Sequence, residues 1–350
     1  HGRYKNITTS GSQVYVGTLT LATGTSTLDA GTSADSDITL AAIAGVAGDG
    51  AENITLDAGA LGDIIIAGAV TNVDTITITE ASNLLISGAL SIQTLAIDGD
   101  TDAVQITGGG SIATACNFAN ATSLTINDAT GNDTMTFTGG LTVTTPTSLT
   151  ISETIATTGQ VMTLGDTGDG GTGITLAGNA ALTTGAAALN INGAVTGGGF
   201  SLALNSTGTT TIGAAITGLN TLTTDGAANA MAINADVSSS QNQTYNDNVV
   251  FSGDIELTST SGIVKFAGTL SGDGGGDDNL TITGNLDLDG VATTSVTSLT
   301  VTGDSDLAAD VTTANAQTYG GTTTISEDVT LDSTGNAETD DITLAIVTGA

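Results

Sequence analysis

Thirty-six carboxylates stand against three basic side chains in this 350-residue sequence, for a formal charge of −33, so the first chemistry to weigh is the holding of hard cations. Asp98-Gly99-Asp100-Thr101-Asp102 spaces three carboxylates two apart, an oxygen-rich run of the kind that ligates calcium. It is no EF-hand, because Gly109 stands where the bidentate Glu of that loop belongs. Gly272-Asp273-Gly274-Gly275-Gly276-Asp277-Asp278-Asn279-Leu280 and Gly131-Asn132-Asp133-Thr134-Met135 echo the calcium-binding nonapeptide of β-roll repeats. Neither has a tandem neighbour to complete such a site. The candidate calcium ligands are therefore Asp98, Asp100, Asp102, Asp273, Asp277 and Asp278. The competing reading makes all of these segments polar turns. Calcium is the only cofactor the sequence suggests.

Other chemistries lack their parts. The sole histidine is His1, which removes Ser-His-Asp catalysis and a two-histidine copper site. A lyase acting on acidic sugars wants a basic side chain, and in the body of the chain only Lys265 is available, set in an ordinary alternating strand. A glycosidase pair could be drawn from any of the acids, which makes the pairing undiagnostic, and no Trp supplies a sugar platform. The sequence is therefore read as non-enzymatic. Its charge excludes nucleic acid and anionic membrane surfaces as partners, since nothing neutralises phosphates. No apolar run is long enough for a membrane-spanning helix.

The elements that would carry these residues are short strands. Asp74-Thr75-Ile76-Thr77-Ile78-Thr79, Ser123-Leu124-Thr125-Ile126-Asn127, Asn279-Leu280-Thr281-Ile282-Thr283 and Ser298-Leu299-Thr300-Val301-Thr302 put Leu, Ile or Val on one face and Thr, Ser, Asn or Asp on the other. Period-two alternation with β-branched residues predicts half-buried strands, and the Gly, Asn-Gly and Asp-Gly stops predict tight turns. No helical periodicity is sustained. With four Tyr, five Phe and no Trp, one thick core is not available, whereas many thin ones are. The predicted fold is all-β: a right-handed parallel β-helix (β-solenoid) with coils of about 20 residues, two strands to the coil. Tandem Ig-like β-sandwiches are the alternative. They would call for larger core residues and domain boundaries at about 100-residue intervals. Cys116, the only cysteine, sits in an alternating segment and reads as a buried structural thiol.

A longer repeat overlies the strands. Gln13-Val14-Tyr15 returns as Gln243-Thr244-Tyr245 and Gln317-Thr318-Tyr319, so module starts fall near 13, 243 and 317. Phe251, Asp254, Ile255 and Leu257 follow the second at the offsets that Ile325, Asp328, Val329 and Leu331 take after the third. Asp37-Ile38-Thr39-Leu40-Ala41 and Asp341-Ile342-Thr343-Leu344-Ala345 agree in the same register. The third copy is cut short at Ala350, which reads as a window on a longer repetitive protein. These strings, with Asn246-Asp247-Asn248-Val249, Leu257-Thr258-Ser259 and Ile263-Val264-Lys265-Phe266-Ala267-Gly268, resemble the repeats of filamentous-haemagglutinin-like and autotransporter-passenger surface proteins of bacteria. The resemblance implies a secreted right-handed β-helix used in adhesion, biofilm or surface fibres. No two-partner-secretion motif and no carboxy-terminal barrel accompany it.

The functional expectation is an extracellular, cell-surface structural or adhesive solenoid that self-associates into fibres. The alternative is a monomeric adhesin segment binding host or surface glycans. Arg3, Tyr4 and Lys5 lie together ahead of the first repeat. Residues 1–10 are accordingly read as a basic arm that docks on a neighbouring acidic subunit, with 11–350 as one continuous solenoid. A third reading is ice binding through Thr-rich strands. Against it, no regular Thr-x-Thr is visible once per coil in the sequence.

Overall fold

The computed structural model describes residues 6–33, 36–46, 51–98, 100–118, 122–128, 130–166, 171–226, 229–289, 293–335 and 340–349. Among them there is no helix, and strands pair in parallel with the equivalent strand of the next coil. The chain divides into two compact units, His1–Gly178 and Asn179–Ala350. Each is a β-solenoid, and together they count about 15 turns. Parallel pairing throughout removes the Ig-like alternative, whose sheets are antiparallel.

In His1–Gly178 three rows of strands line the coil. The first row stacks Ile7, Leu28, Leu56, Ile78 and Ile97, and in later coils its place is taken by Cys116–Asn117, Leu141–Val143 and Met162–Leu164. The second stacks Gln13, Ile38, Ile64, Leu84, Val104, Leu124 and Leu149. The third stacks Leu19, Ile43, Val70, Leu90, Gly110, Met135 and Ile155. Asn179–Ala350 repeats the plan. Leu189, Thr210, Met231, Val249 and Leu270 form its first row. Val195, Ile216, Val237, Leu257, Ile282, Val301, Tyr319 and Leu344 form the second. Leu202, Leu222, Gln243, Val264, Leu286, Ser305 and Thr323 form the third.

The alternation read from sequence holds: Leu280, Ile282, Leu299 and Val301 are at most 2 % exposed, while Thr281 and Thr300 between them face out. Each buried Leu or Ile contributes about 1.5–3 kcal/mol. Coils stack about 4.8 Å apart, so every inward residue touches its equivalents above and below. A narrow core of medium side chains can therefore be continuous. The coil length is uneven. Thr94 and Thr114 lie 20 residues apart, Gly284 and Thr302 18, and Thr122 and Thr147 25.

The expectation of two strands per coil is corrected to three. Gln243 follows Val237, its equivalent at the previous corner, by six residues, well under the ten-residue spacing of visible stops. Many corners are made with Ala, Ser or Thr beside one glycine, so counting turn signals undercounts them. At one corner Gly68, Gly88 and Gly108 stack directly. A Cβ on Gly88 would lie 2.1 Å from the Gly68 carbonyl carbon, and one on Gly108 2.4 Å from Ser87 O. There the backbones of successive coils approach too closely for any side chain. Aromatic pairs fill two wider places: Phe118 meets Phe137 edge-on with centroids 6.1 Å apart, and Tyr245 stacks on Phe266 at 5.1 Å.

Candidate functional site

The recurring Gln-x-Tyr triplets turn inward. Gln243 and Gln317 are fully buried and Gln13 nearly so. Gln317 Nε2 donates to Val311 O (3.1 Å), six residues back, and to Asp332 O (2.8 Å), 15 residues on in the next coil. Gln243 repeats this with Val237 O (3.2 Å) and Thr258 O (2.7 Å), and Gln13 with Ile7 O (3.2 Å) and Asp29 O (2.7 Å). In each triplet the tyrosine hydroxyl donates to the glutamine Oε1, at 2.9, 2.8 and 3.1 Å along the chain. Every polar atom of the amide thus finds a partner inside the coil, as burial demands. Burial raises the Tyr245 and Tyr319 hydroxyls well above the usual phenol range. The motif is a clamp joining two coils at a corner. Gln243 lies in the third row of Asn179–Ala350 and Gln317 in the second, so the repeat is written in strand-and-corner units and can start on more than one face.

The calcium candidates have separate surroundings. Asp278 is fully buried; its Oδ1 accepts from Gly253 N (3.1 Å) and its Oδ2 from Gly274 N (3.0 Å), which makes it a strut for the turn. Asp273 is exposed, and the Ser252 hydroxyl, then the Gly275 N–H (2.7 Å), hold its carboxyl below the usual range. Asp277 is exposed beside it, its carbonyl accepting from Asn279 N. Asp98 Oδ1 accepts from Asp100 N at 3.4 Å, and Asp98, Asp100 and Asp102 are all exposed. In the loop 130–133, Glu153 accepts from Gly131 N (2.9 Å) and Asp133 N (2.8 Å). Among the described residues no three His, Cys, Asp or Glu side chains converge as a metal group. Of the amino-terminal arm, Arg3, Tyr4 and Lys5 lie outside the described residues. Asn6–Thr8 is a strand paired with Thr27–Asp29, within the solenoid.

Two outward features were not legible in the sequence. In His1–Gly178, Thr25, Asn53, Thr75 and Thr94 form one outward column, and Thr27, Thr55 and Thr77 the next. Thr25-x-Thr27 and Thr75-x-Thr77 therefore flank Asn53-x-Thr55 in register. Thr-x-Thr still does not recur in every coil, as expected, because Asn53 interrupts the first column and Ala96 follows Thr77 in the second. The strands are unevenly spaced along the chain, so linear periodicity hides the array. Among the described residues Thr25, Thr27, Thr55, Thr75 and Thr77 spend no hydroxyl on protein partners. A similar column, Thr281, Thr300, Thr318 and Thr343, runs down the second row of Asn179–Ala350.

The other feature is a shallow cavity of about 440 Å³ lined by Asp236, Asp254, Ile255, Glu256, Asn279 and Thr281. Its acids are tied into the coils. Asp236 accepts from Glu256 N (2.8 Å), Asp254 from Asn279 Nδ2 (2.6 Å), and Glu256 from Thr283 Oγ1 (2.7 Å).

Lys265 bridges Asp287 (2.8 Å) and Asp289. Hydrogen bonds to both raise the lysine; the lysine lowers Asp289, whereas partial burial outweighs it at Asp287 and raises that carboxyl. At such exposure the bridge adds little stability. Cys116 is buried and unpaired, and burial pushes its thiol up to about 12.

No family model, curated protein or solved structure matches the chain.

Proposed function

We propose that this chain is an extracellular β-solenoid, a structural or adhesive segment of a bacterial surface protein that self-associates into fibres. The observation that carries the reading is the outward Thr and Asn columns held in register by the parallel pairing of successive coils. They form a rigid lattice of hydroxyls with one row per coil, suited to multivalent contact with a repeating surface. The strongly acidic charge, which keeps such a face solvated, and the Gln-x-Tyr repeats shared in kind with filamentous-haemagglutinin-like strings support the same reading. The open cavity beside Asp254 and Asn279, lined by hydroxyl, amide and carboxylate groups, supports a glycan as the contacted surface. The test is negative-stain microscopy of the purified chain over a concentration series, together with binding to glycan-coated surfaces. Fibres, or saturable monomer binding, support the two forms of the proposal. A chain that stays monomeric and binds neither glycans nor cells overturns both.

A second reading, ice binding, is favoured by the Thr25/Thr27, Asn53/Thr55 and Thr75/Thr77 array. Thermal hysteresis that disappears in Thr55→Lys and Thr77→Lys supports it, and none in the unaltered chain removes it.

A further inference from the structure

One corner of Asn179–Ala350 holds a buried carboxylate with one oxygen that the clamps and turns leave without a donor. Thr223 pairs with Thr244, which lays the corner 224–226 against 245–247 of the next coil. Thr224 Oγ1 accepts from the backbone N–H groups of Asn246 (2.9 Å) and Asp247 (3.3 Å), and Asn246 Nδ2 donates to Thr224 O (2.6 Å). The packing is close on both sides. A Cβ on Gly226 would come within 2.8 Å of Asn246 Cβ, and one on Gly268 within 2.3 Å of Asp247 O. Asp247 is sandwiched there at 2 % exposure, and its Oδ1 is buried with no hydrogen-bond partner.

A buried carboxylate oxygen without a donor is costly. Its neighbour makes matters worse, because Asp225 is itself a carboxylate. Partial burial first, and then the charge of Asp247, raise the Asp225 carboxyl above its usual range. No basic side chain offsets the pair among the described residues: Lys265 is committed to Asp287 and Asp289. Asp225 is exposed, which leaves a path from solvent to the corner.

We propose that Asp225 and Asp247 together bind a hard divalent cation, calcium, between these two coils. Oxygen donors alone are present, two carboxylates supply the charge, and water on the open Asp225 side completes the shell that calcium requires. The ion would supply Asp247 Oδ1 with its missing partner and turn a repulsive corner into a staple between coils. The site is distinct from the candidates at Asp98–Asp102 and Asp273–Asp278, and it is independent of the reading of the chain as a surface fibre.

The experiment uses the full chain stripped with chelator and titrated with calcium chloride, followed by calorimetry and by melting temperature. The unaltered chain is expected to bind with saturation and to gain several degrees. Asp247→Asn and Asp225→Asn are expected to lose that gain, while Glu327→Gln, an exposed acid outside the corner and outside the other candidate segments, keeps it. In chelator Asp225→Asn is expected to melt at or above the unaltered chain, because one repelling charge is gone; this shows that the loss of response is not a loss of fold. The proposal is overturned by an unaltered chain with no calcium-dependent gain, or by an Asp225→Asn variant that responds as the unaltered chain does.

Discussion

Replacing Gln317 by Leu tests whether the Gln-x-Tyr triplet is a clamp. The substitution nearly keeps the volume but removes three hydrogen bonds: those to Val311 O and Asp332 O, and the one from Tyr319 Oη. Each contributes about 1 kcal/mol net, and a buried hydroxyl left without an acceptor adds about 1–3 kcal/mol more. Tyr319 is only 1 % exposed, so water cannot repair the loss. Gln317→Leu should therefore destabilise by about 3–5 kcal/mol, and Tyr319→Phe alone by about 1–2 kcal/mol, by leaving Oε1 without its donor. In the double variant the orphaned hydroxyl is gone. Tyr319→Phe in the Gln317→Leu background should then be neutral or stabilising, a coupling of at least about 1 kcal/mol. Equilibrium unfolding in urea, followed by far-ultraviolet circular dichroism, measures all four corners of the cycle. Additivity within about 0.5 kcal/mol, or a Gln317→Leu cost below about 1 kcal/mol, would refute the clamp. Gln13→Leu provides an internal comparison: Tyr15 is partly exposed, so water can reach its hydroxyl and the penalty should be smaller.

Alkaline pH should weaken the same clamp. Burial raises the folded Tyr319 hydroxyl above its unfolded value of about 10, so its contribution is complete below pH 10 and is lost as pH rises through the folded value. Urea midpoints of the unaltered chain should fall above about pH 10, and Tyr319→Phe should flatten that fall. Cys116, with its thiol pushed up to about 12, should resist iodoacetamide at pH 8 in the folded chain and react on addition of urea; equal rates in both states would contradict its burial. Gly88→Ala should lower stability by about 2–3 kcal/mol, because the new methyl meets the Gly68 backbone. Gly17→Ala, where nothing lies within 4 Å, should change the urea midpoint little.

Much of this fold is local and was therefore legible. Alternation in segments such as Leu280-Thr281-Ile282 is set by the two-residue period of a strand, so which side chains turn inward follows from order along the chain. All-β character, coils of about 20 residues and a thin apolar core follow from that alternation and from scarce aromatics. The number of strands per coil was not legible. Corners consume few residues, as in the six-residue step from Val237 to Gln243, so they do not show as separate turn signals.

Function-bearing features depend on what lies one coil away. Gln317 recurs visibly with Tyr319, but its partner Asp332 O is 15 residues on, and only stacking makes the pair a clamp. Thr27, Thr55 and Thr77 look unrelated in a chain whose coils differ in length, and register alone makes them a column. Asp225 and Asp247 are two of 36 acids in sequence. Their distinction arises when a glycine corner on each side shuts Asp247 away from water while leaving Asp225 at the surface. Local residue order thus determined the strands and their inward faces. Tertiary stacking, which brings residues a coil apart within one strand spacing, decided which polar groups clamp the coils, which columns face outward and which buried carboxylate oxygens are left without a donor.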